Sequence, residues 1–227
     1  MTRKYIALLL AVICLLSVSA LAAGNEQDEN PLPFDDVSEA AWYYDAVQYV
    51  TDNDLMRGFT VTDFRPEEKI TLGQYLTVLY RMGIGLDVPY PVLATSGADW
   101  LAAARYLAGE DATENALQAP ATREEMAHFG TAFLQTVCQA LDADAVVSRQ
   151  AAFADADAVD PRYRDDVDWF YGVGAISGYT DGTFRPQAEV RRCEAARVFY
   201  NLLNAVTLVP SNTDAAPADD AAAAPAA

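Results

Sequence analysis

One segment of the chain occurs twice, 120 residues apart: Gly58-Phe59-Thr60, Phe64-Arg65-Pro66 and Tyr80 return as Gly178-Tyr179-Thr180, Phe184-Arg185-Pro186 and Tyr200. Between the copies, Thr122-Arg123-Glu124-Glu125 opens an apolar run much as Thr71-Leu72-Gly73-Gln74 and Arg191-Arg192-Cys193-Glu194 open theirs. The chain therefore reads as three related units, the middle one degraded. A fixed period means that each unit is one supersecondary element, which buries its apolar face only against its neighbours.

Each unit carries two helical patterns. In the first, Ala46, Val47, Val50, Leu55 and Met56 follow the helical period, and Val167, Phe170, Tyr171 and Val173 repeat it in the third. These helices follow an aromatic, acidic entry, Phe34-Asp35-Asp36-Val37 or Phe153-Ala154-Asp155-Ala156, and are expected to stop at Gly58 and Gly178 in the left-handed conformation. A loop closed by Phe-Arg-Pro comes next, with Asp181-Gly182 as a tight-turn signal. The second helices carry the stripes Leu72, Tyr75, Leu76, Leu79; Met126, Phe129, Phe133, Val137; and Val198, Phe199, Leu202, which predict a common core. The middle unit keeps Trp100 and both helices on a shorter connection without the loop.

Residues 1–23 begin with Arg3 and Lys4, continue through an apolar run and end in small residues, which reads as a secretory signal peptide, an uncleaved anchor being the alternative. A polar linker, 24–33, precedes the first unit. The three units span 34–86, 87–142 and 153–204, and 205–227 reads as a disordered tail of Ala, Asp and Pro. Without the two basic residues of the leader, 13 Lys and Arg stand against 33 Asp and Glu. Nucleic acid is excluded as a partner, because binding it depends on counterion release by basic side chains. Cys138 and Cys193 read as two small buried hydrophobes, with a single bridge as the alternative.

Thr122 to Glu125 forms a capping box, in which the threonine hydroxyl and the glutamate carboxylate satisfy each other's backbone amides. Arg123 is not explained by it, since a cation in the first turn opposes the helix macrodipole at roughly 0.3–1 kcal/mol. Arg192 stands at the same position of the third unit. Guanidinium and helix-start amides together make an anion receptor for a small acid; pairing of each arginine with a neighbouring carboxylate is the structural alternative. In the third unit Arg191 replaces the capping threonine, so the cap is expected to be lost.

No histidine cluster or cysteine pair exists for zinc, His128 reads as a surface or groove-edge residue, and Asp155, Asp157 and Asp160 lack the pattern of a calcium loop, so no metal and no cofactor is expected. The doublets Glu124-Glu125 and Asp165-Asp166 do not face each other across a cleft as acid and base would. Trp42, Trp100 and Trp169 read as core, with stacking on sugar rings as the alternative. An enzyme is not expected.

The aromatic and acidic entry, the loop Gly178-Tyr179-Thr180-Asp181-Gly182-Thr183-Phe184-Arg185-Pro186 and the helix opening Thr122-Arg123-Glu124-Glu125 resemble the S-layer homology repeat, over about Phe34 to Leu203. The resemblance implies a mainly α fold: three helix-loop-helix repeats in a pseudo-threefold, three-pronged spindle around a central three-helix bundle. It also implies a non-catalytic module of the bacterial cell surface whose grooves between prongs bind an anionic secondary cell-wall polymer, commonly a pyruvate-ketal-bearing N-acetylmannosamine. The ketal carboxylate would meet Arg123 and Arg192. Gly178, Tyr179, Asp181 and Arg185, and in the first repeat Gly58, Phe59 and Arg65, would shape the groove walls. Leu72 stands where the first repeat should have its arginine, so that groove is expected to lack its anion site. A scaffold that contacts other envelope proteins through decayed grooves is the alternative reading.

Overall fold

The computed structural model describes residues 32–93, 100–109, 112–141, 144–145 and 147–207. The expected signal segment and nearly all of the linker and tail lie outside them. The chain divides into a leading unit, Met1–Pro33, and a main unit, Phe34–Ala227.

The main unit is mainly helical. Its helices are α1 (Tyr44–Asp52), α2 (Leu72–Gly85), α3 (Trp100–Ala108), α4 (Glu114–Gln118), α5 (Arg123–Leu141), α6 (Arg164–Gly172) and α7 (Arg192–Ala205). A short 3-10 turn, Ala156–Ala158, precedes α6. Two-residue strands, β1 (Asp144–Ala145) and β2 (Val206–Thr207), pair antiparallel, so the ordered body runs past the expected start of the tail at residue 205. The small helix α4 in the middle connection has no counterpart in the expected pattern.

The second helix of each unit starts at a backbone ring. The Ile70 amide donates to the Val190 carbonyl at 3.0 Å, Val190 to Ala121 at 2.9 Å, and Ala121 to Ile70 at 2.9 Å. Two residues further along each unit the relation repeats: Leu72 donates to Ala119, Arg123 to Ala188 and Arg192 to Glu68. The three units therefore stand in equivalent places at this ring, the middle one included. Its degraded loop did not cost it the ring, because these bonds use main-chain groups that every residue carries.

Capping fixes where the helices begin. The Thr71 hydroxyl accepts from the Gln74 amide while the Gln74 side chain accepts from the Thr71 amide, and Thr122 with Glu125 makes the same box. The third helix keeps half of it. Arg191 supplies no hydroxyl, but its amide still donates to the Glu194 carboxylate at 2.8 Å, so the expected loss of the cap is corrected to a partial one.

The predicted stripes form the core. Leu72, Tyr75, Leu76 and Leu79 of α2, Met126, Phe133 and Val137 of α5, and Val198, Phe199 and Leu202 of α7 are buried, while Phe129 is half-buried. Burying such a side chain contributes about 1.5–3 kcal/mol relative to leaving it in water. Tyr75 joins all three helices: its ring stacks on Phe199 at 5.2 Å and its hydroxyl donates to the Met126 carbonyl at 3.0 Å. Cys193 is buried and Cys138 half-buried, with no disulfide between them.

Each first helix packs on the second helix of the preceding unit: α3 on α2, α6 on α5, and α1 on α7. Tyr49 meets Tyr200 edge-on at 5.4 Å in the last of these pairs, which joins the beginning of the main unit to its end.

Candidate functional site

The Phe-Arg-Pro loops are held by an acidic clamp. Both oxygens of Asp36 accept backbone amides, from Phe64 at 2.9 Å and Arg65 at 2.6 Å; Asp155 does the same for Phe184 and Arg185, each at 2.7 Å. The clamp fixes Arg65 and Arg185 at φ 59° and 57°, a left-handed conformation unfavourable for a non-glycine residue. Burial alone would raise both carboxyls, but the bonds from the two amides outweigh it and leave each below its ordinary pKa.

Arg123 and Arg192 tie these loops to the neighbouring unit. Arg192 donates from Nε to the Phe64 carbonyl at 3.0 Å and from a terminal nitrogen to the Arg57 carbonyl at 2.8 Å. Arg123 donates to Phe184 and Ser177 carbonyls, both at 2.7 Å. Each is 6% exposed. Burial pulls the Arg192 pKa down to about 10 and lowers that of Arg123, so both stay charged at neutral pH. Each loop aromatic lies between two guanidiniums. Phe59 has Arg65 at 4.2 Å and Arg192 at 4.8 Å; Tyr179 has Arg185 at 4.0 Å and Arg123 at 4.8 Å. Arg65 pairs with Asp63 and Arg185 with Asp181. Thr183 and Arg185 hold the Asp181 carboxyl well below the usual carboxylate range.

The sequence-derived residues thus gather as two equivalent clusters, Arg192 with Gly58, Phe59 and Arg65, and Arg123 with Gly178, Tyr179, Asp181 and Arg185. Several roles change. The helix-start amides are not open to an anion, because those of Arg123 and Glu124 donate to Ala188 and Pro186, and those of Arg192 and Cys193 to Glu68 and Pro66. Among the described residues neither arginine forms the alternative carboxylate pair. An arginine serves the loop of the next unit, so Arg192 reaches the first-repeat loop; Leu72 stands instead opposite the shortened middle connection, where its amide meets Ala119. Gly58 and Gly178 do not stop helices. The helices end earlier, at Asp52 and Gly172, and positive φ falls at Asp54 and Gly174. Gly58 and Gly178 are small because a Cβ would lie 2.6 Å from Phe34 and 2.7 Å from Phe153. The tight turn is at Gly182, φ 81°, as Asp181-Gly182 indicates.

Arg192 also lines a cleft of about 170 Å³ between the end of the α1 segment and α2. Its wall is made by Leu55, Met56, Arg57, Ile70, Gln74, Thr77, Val78, Arg81, Trp100 and Arg192. Three arginines line one small space, with no carboxylate among the described lining residues. Arg81 donates to the Leu55 carbonyl at 3.1 Å, and burial together with the charge of Arg57 lowers its pKa. Arg57 is exposed and pairs only loosely with Asp54, at 3.2 Å. Sequence reasoning missed Arg57 and Arg81 and read Trp100 as core rather than as a sugar-stacking residue. Gln74, Thr77, Val78 and Arg81 nevertheless recur at i, i+3, i+4 and i+7, a second stripe beside the core stripe of α2.

None of the three tryptophans is buried, against the core reading: Trp42 is 53% exposed, and Trp100 and Trp169 are half-buried. Trp100 lies over the start of α2, where a Cβ on Gly73 would come 2.2 Å from its ring and 2.9 Å from the Leu117 carbonyl. Gly73, costly to a helix by about 1 kcal/mol relative to Ala, therefore seats the indole in the cleft. Gly73→Ala is expected to displace Trp100 and to cost about 1–3 kcal/mol from overpacking despite better helix propensity. A shift in tryptophan emission with a lower melting temperature would confirm it.

His128 sits between α5 and α6, with its Nδ1 2.6 Å from Asp166 and its ring stacked on Tyr163 at 4.5 Å. The acids of the expected helix entry serve the fold: Asp155 clamps the loop, and Arg162 holds Asp160 down to about 2.

The S-layer homology domain profile matches residues 33–76 and 152–196, so the chain carries two S-layer homology domains, non-catalytic modules of cell-surface and cell-wall association. The middle unit lies outside both matches. The chain is 26% identical over 212 residues to an endoglucanase of Bacillus sp. (strain KSM-635), covering 88% of this chain and 22% of that enzyme. It is 24% identical over 178 residues to an amylopullulanase of Thermoanaerobacterium thermosulfurigenes, covering 75% of this chain and 9% of the enzyme. The chain thus spans less than a quarter of each of these relatives.

Proposed function

We propose that the chain is a non-catalytic anchoring module that holds an acidic cell-wall polysaccharide in the cleft at α2. The observation that carries this reading is the clustering of Arg57, Arg81 and Arg192 around Trp100, with no acid among the described lining residues, in a chain whose acidic residues outnumber the basic ones 33 to 15. A planar guanidinium fork suits a carboxylate, and an indole face suits the apolar face of a sugar ring. A ketal carboxylate on N-acetylmannosamine, the group that the S-layer homology resemblance implies, carries the charge that guanidiniums recognise.

The acidic surface does not oppose binding at short range. Exposed charges farther than about 8 Å are largely screened at physiological salt, whereas a charge-assisted hydrogen bond contributes about 1.5–3 kcal/mol. Purified wall sacculi are expected to retain the protein. Sacculi stripped of ketal groups by mild acid are expected to release it. Equal retention on stripped and intact sacculi would reject the carboxylate as the recognised group.

A further inference from the structure

Gln187 and Glu67 follow the Phe-Arg-Pro of the third and first units at equivalent positions, 120 residues apart, yet one is an amide and the other an acid. Each faces the start of the second helix of the preceding unit, and the partner it meets there differs. Gln187 donates to the Glu124 carboxylate at 2.5 Å. Glu67 accepts from the Arg191 guanidinium at 2.6 Å, and that guanidinium also holds Glu194 at 3.0 Å.

The two helix starts differ in step with the loops. Directly after the motif arginine, α5 carries Glu124 and α7 carries Cys193; directly before it stand Thr122 and Arg191. Glu124 is 5% exposed, and a carboxylate so buried depends on donors to its oxygens. One oxygen accepts from the Gln187 side chain and the other from the Asp160 amide, at 3.0 Å. Cys193 is buried as well, and burial pushes its thiol up to about 11, so it brings no charge to the α7 joint at neutral pH.

Exchanging the loops would break both arrangements. Against α5, the first-unit loop would set Glu67 beside Glu124, with Thr122 supplying no guanidinium, and like charges so placed repel. Against α7, the third-unit loop would offer Arg191 a neutral amide in place of an acid. We infer that Glu124 with Gln187, and Arg191 with Glu67, are matched pairs by which each helix start accepts its own loop and refuses that of the other unit, whether from the same chain or from a second copy. Repulsion supplies the discrimination, because the backbone bonds and the buried motif arginine are alike in the two joints.

The test sets the exit residue of one loop into the other joint of the full chain and follows thermal unfolding by circular dichroism. Gln187→Glu should lower the melting temperature by about 5 °C or more. Two second substitutions should each raise it again. Glu124→Gln reverses the pair while keeping an acceptor for the Asp160 amide, and Thr122→Arg supplies the guanidinium of the other joint. Thr122→Arg by itself should lower the melting temperature, since it removes the capping hydroxyl, so its benefit beside Gln187→Glu is specific to the new acid. A Gln187→Glu variant as stable as the unchanged protein would overturn the inference. So would either double variant melting no higher than Gln187→Glu, because the loss would then be one of packing and not of charge.

Discussion

Replacing Arg123 or Arg192 by alanine is expected to lower the melting temperature by about 5–15 °C, because each guanidinium is a structural tie before it is anything else. Each donates to two loop carbonyls of the next unit, at 2.7–3.0 Å, and fills the space between ring faces. Hydrogen bonds from a charged donor contribute about 1.5–3 kcal/mol, and removing the donor leaves buried carbonyls unpaired. A loss of about 2–4 kcal/mol per substitution follows, at about 2–4 °C for each kcal/mol in a chain of this size. Lysine should not restore it, since a point charge cannot span two carbonyls as a planar fork does. Differential scanning calorimetry decides the point: melting unchanged by either alanine would mean that the arginines do not hold the units together. An exposed anion receptor would have left the melting temperature nearly untouched, so the same measurement separates the tie from the role expected at the helix start.

The second large effect concerns the clamp. Asp155→Ala should cost about 1–3 kcal/mol, after allowance for its partial exposure, because two amides lose a charged acceptor and Arg185 is left in an unfavourable left-handed conformation. The pH dependence has a definite sign. A carboxyl with a native pKa below its unfolded value stabilises the fold fully above the ordinary carboxylate range, near pH 4, and loses that contribution as the pH falls through the native value. Melting temperatures measured from pH 7 down to about pH 3 should therefore fall, and fall less steeply in Asp155→Ala and Asp36→Ala. Parallel curves for the variants and the unchanged protein would remove the clamp from the explanation of acid sensitivity.

The second-helix stripes and two capping boxes are legible along the chain because they depend on residues three or four positions apart, and the repeat period because the same residue types return 120 positions on. The ring was not, since its hydrogen bonds join main-chain groups of residues 70, 121 and 190 whatever their side chains. The consequence for the site is direct. Without the ring order, Leu72 appears to empty the first-repeat groove, whereas the arginine that serves this loop is Arg192, 128 residues away from Phe64. The amides at the helix starts look available in the sequence and are consumed by the carbonyls of the next unit. Gly73 looks like a defect of α2 and is the seat of Trp100. Arg57 and Arg81 belong to no repeat signature, and only the side-by-side placement of the α1 end and α2 brings them to one cleft.

Arg57 is the residue on which anchoring and stability separate. It is exposed, it contacts only Asp54 through its side chain among the bonds described, and it lines the cleft. The most direct measurement is sedimentation of Arg57→Glu with purified wall sacculi beside the unchanged protein, with melting followed in parallel. Retention reduced at least about tenfold at an unchanged melting temperature is the expected result, since an acid is set against an acidic ligand. Undiminished retention by a folded Arg57→Glu variant would contradict the assignment of the α2 cleft as the place where the wall polymer is held.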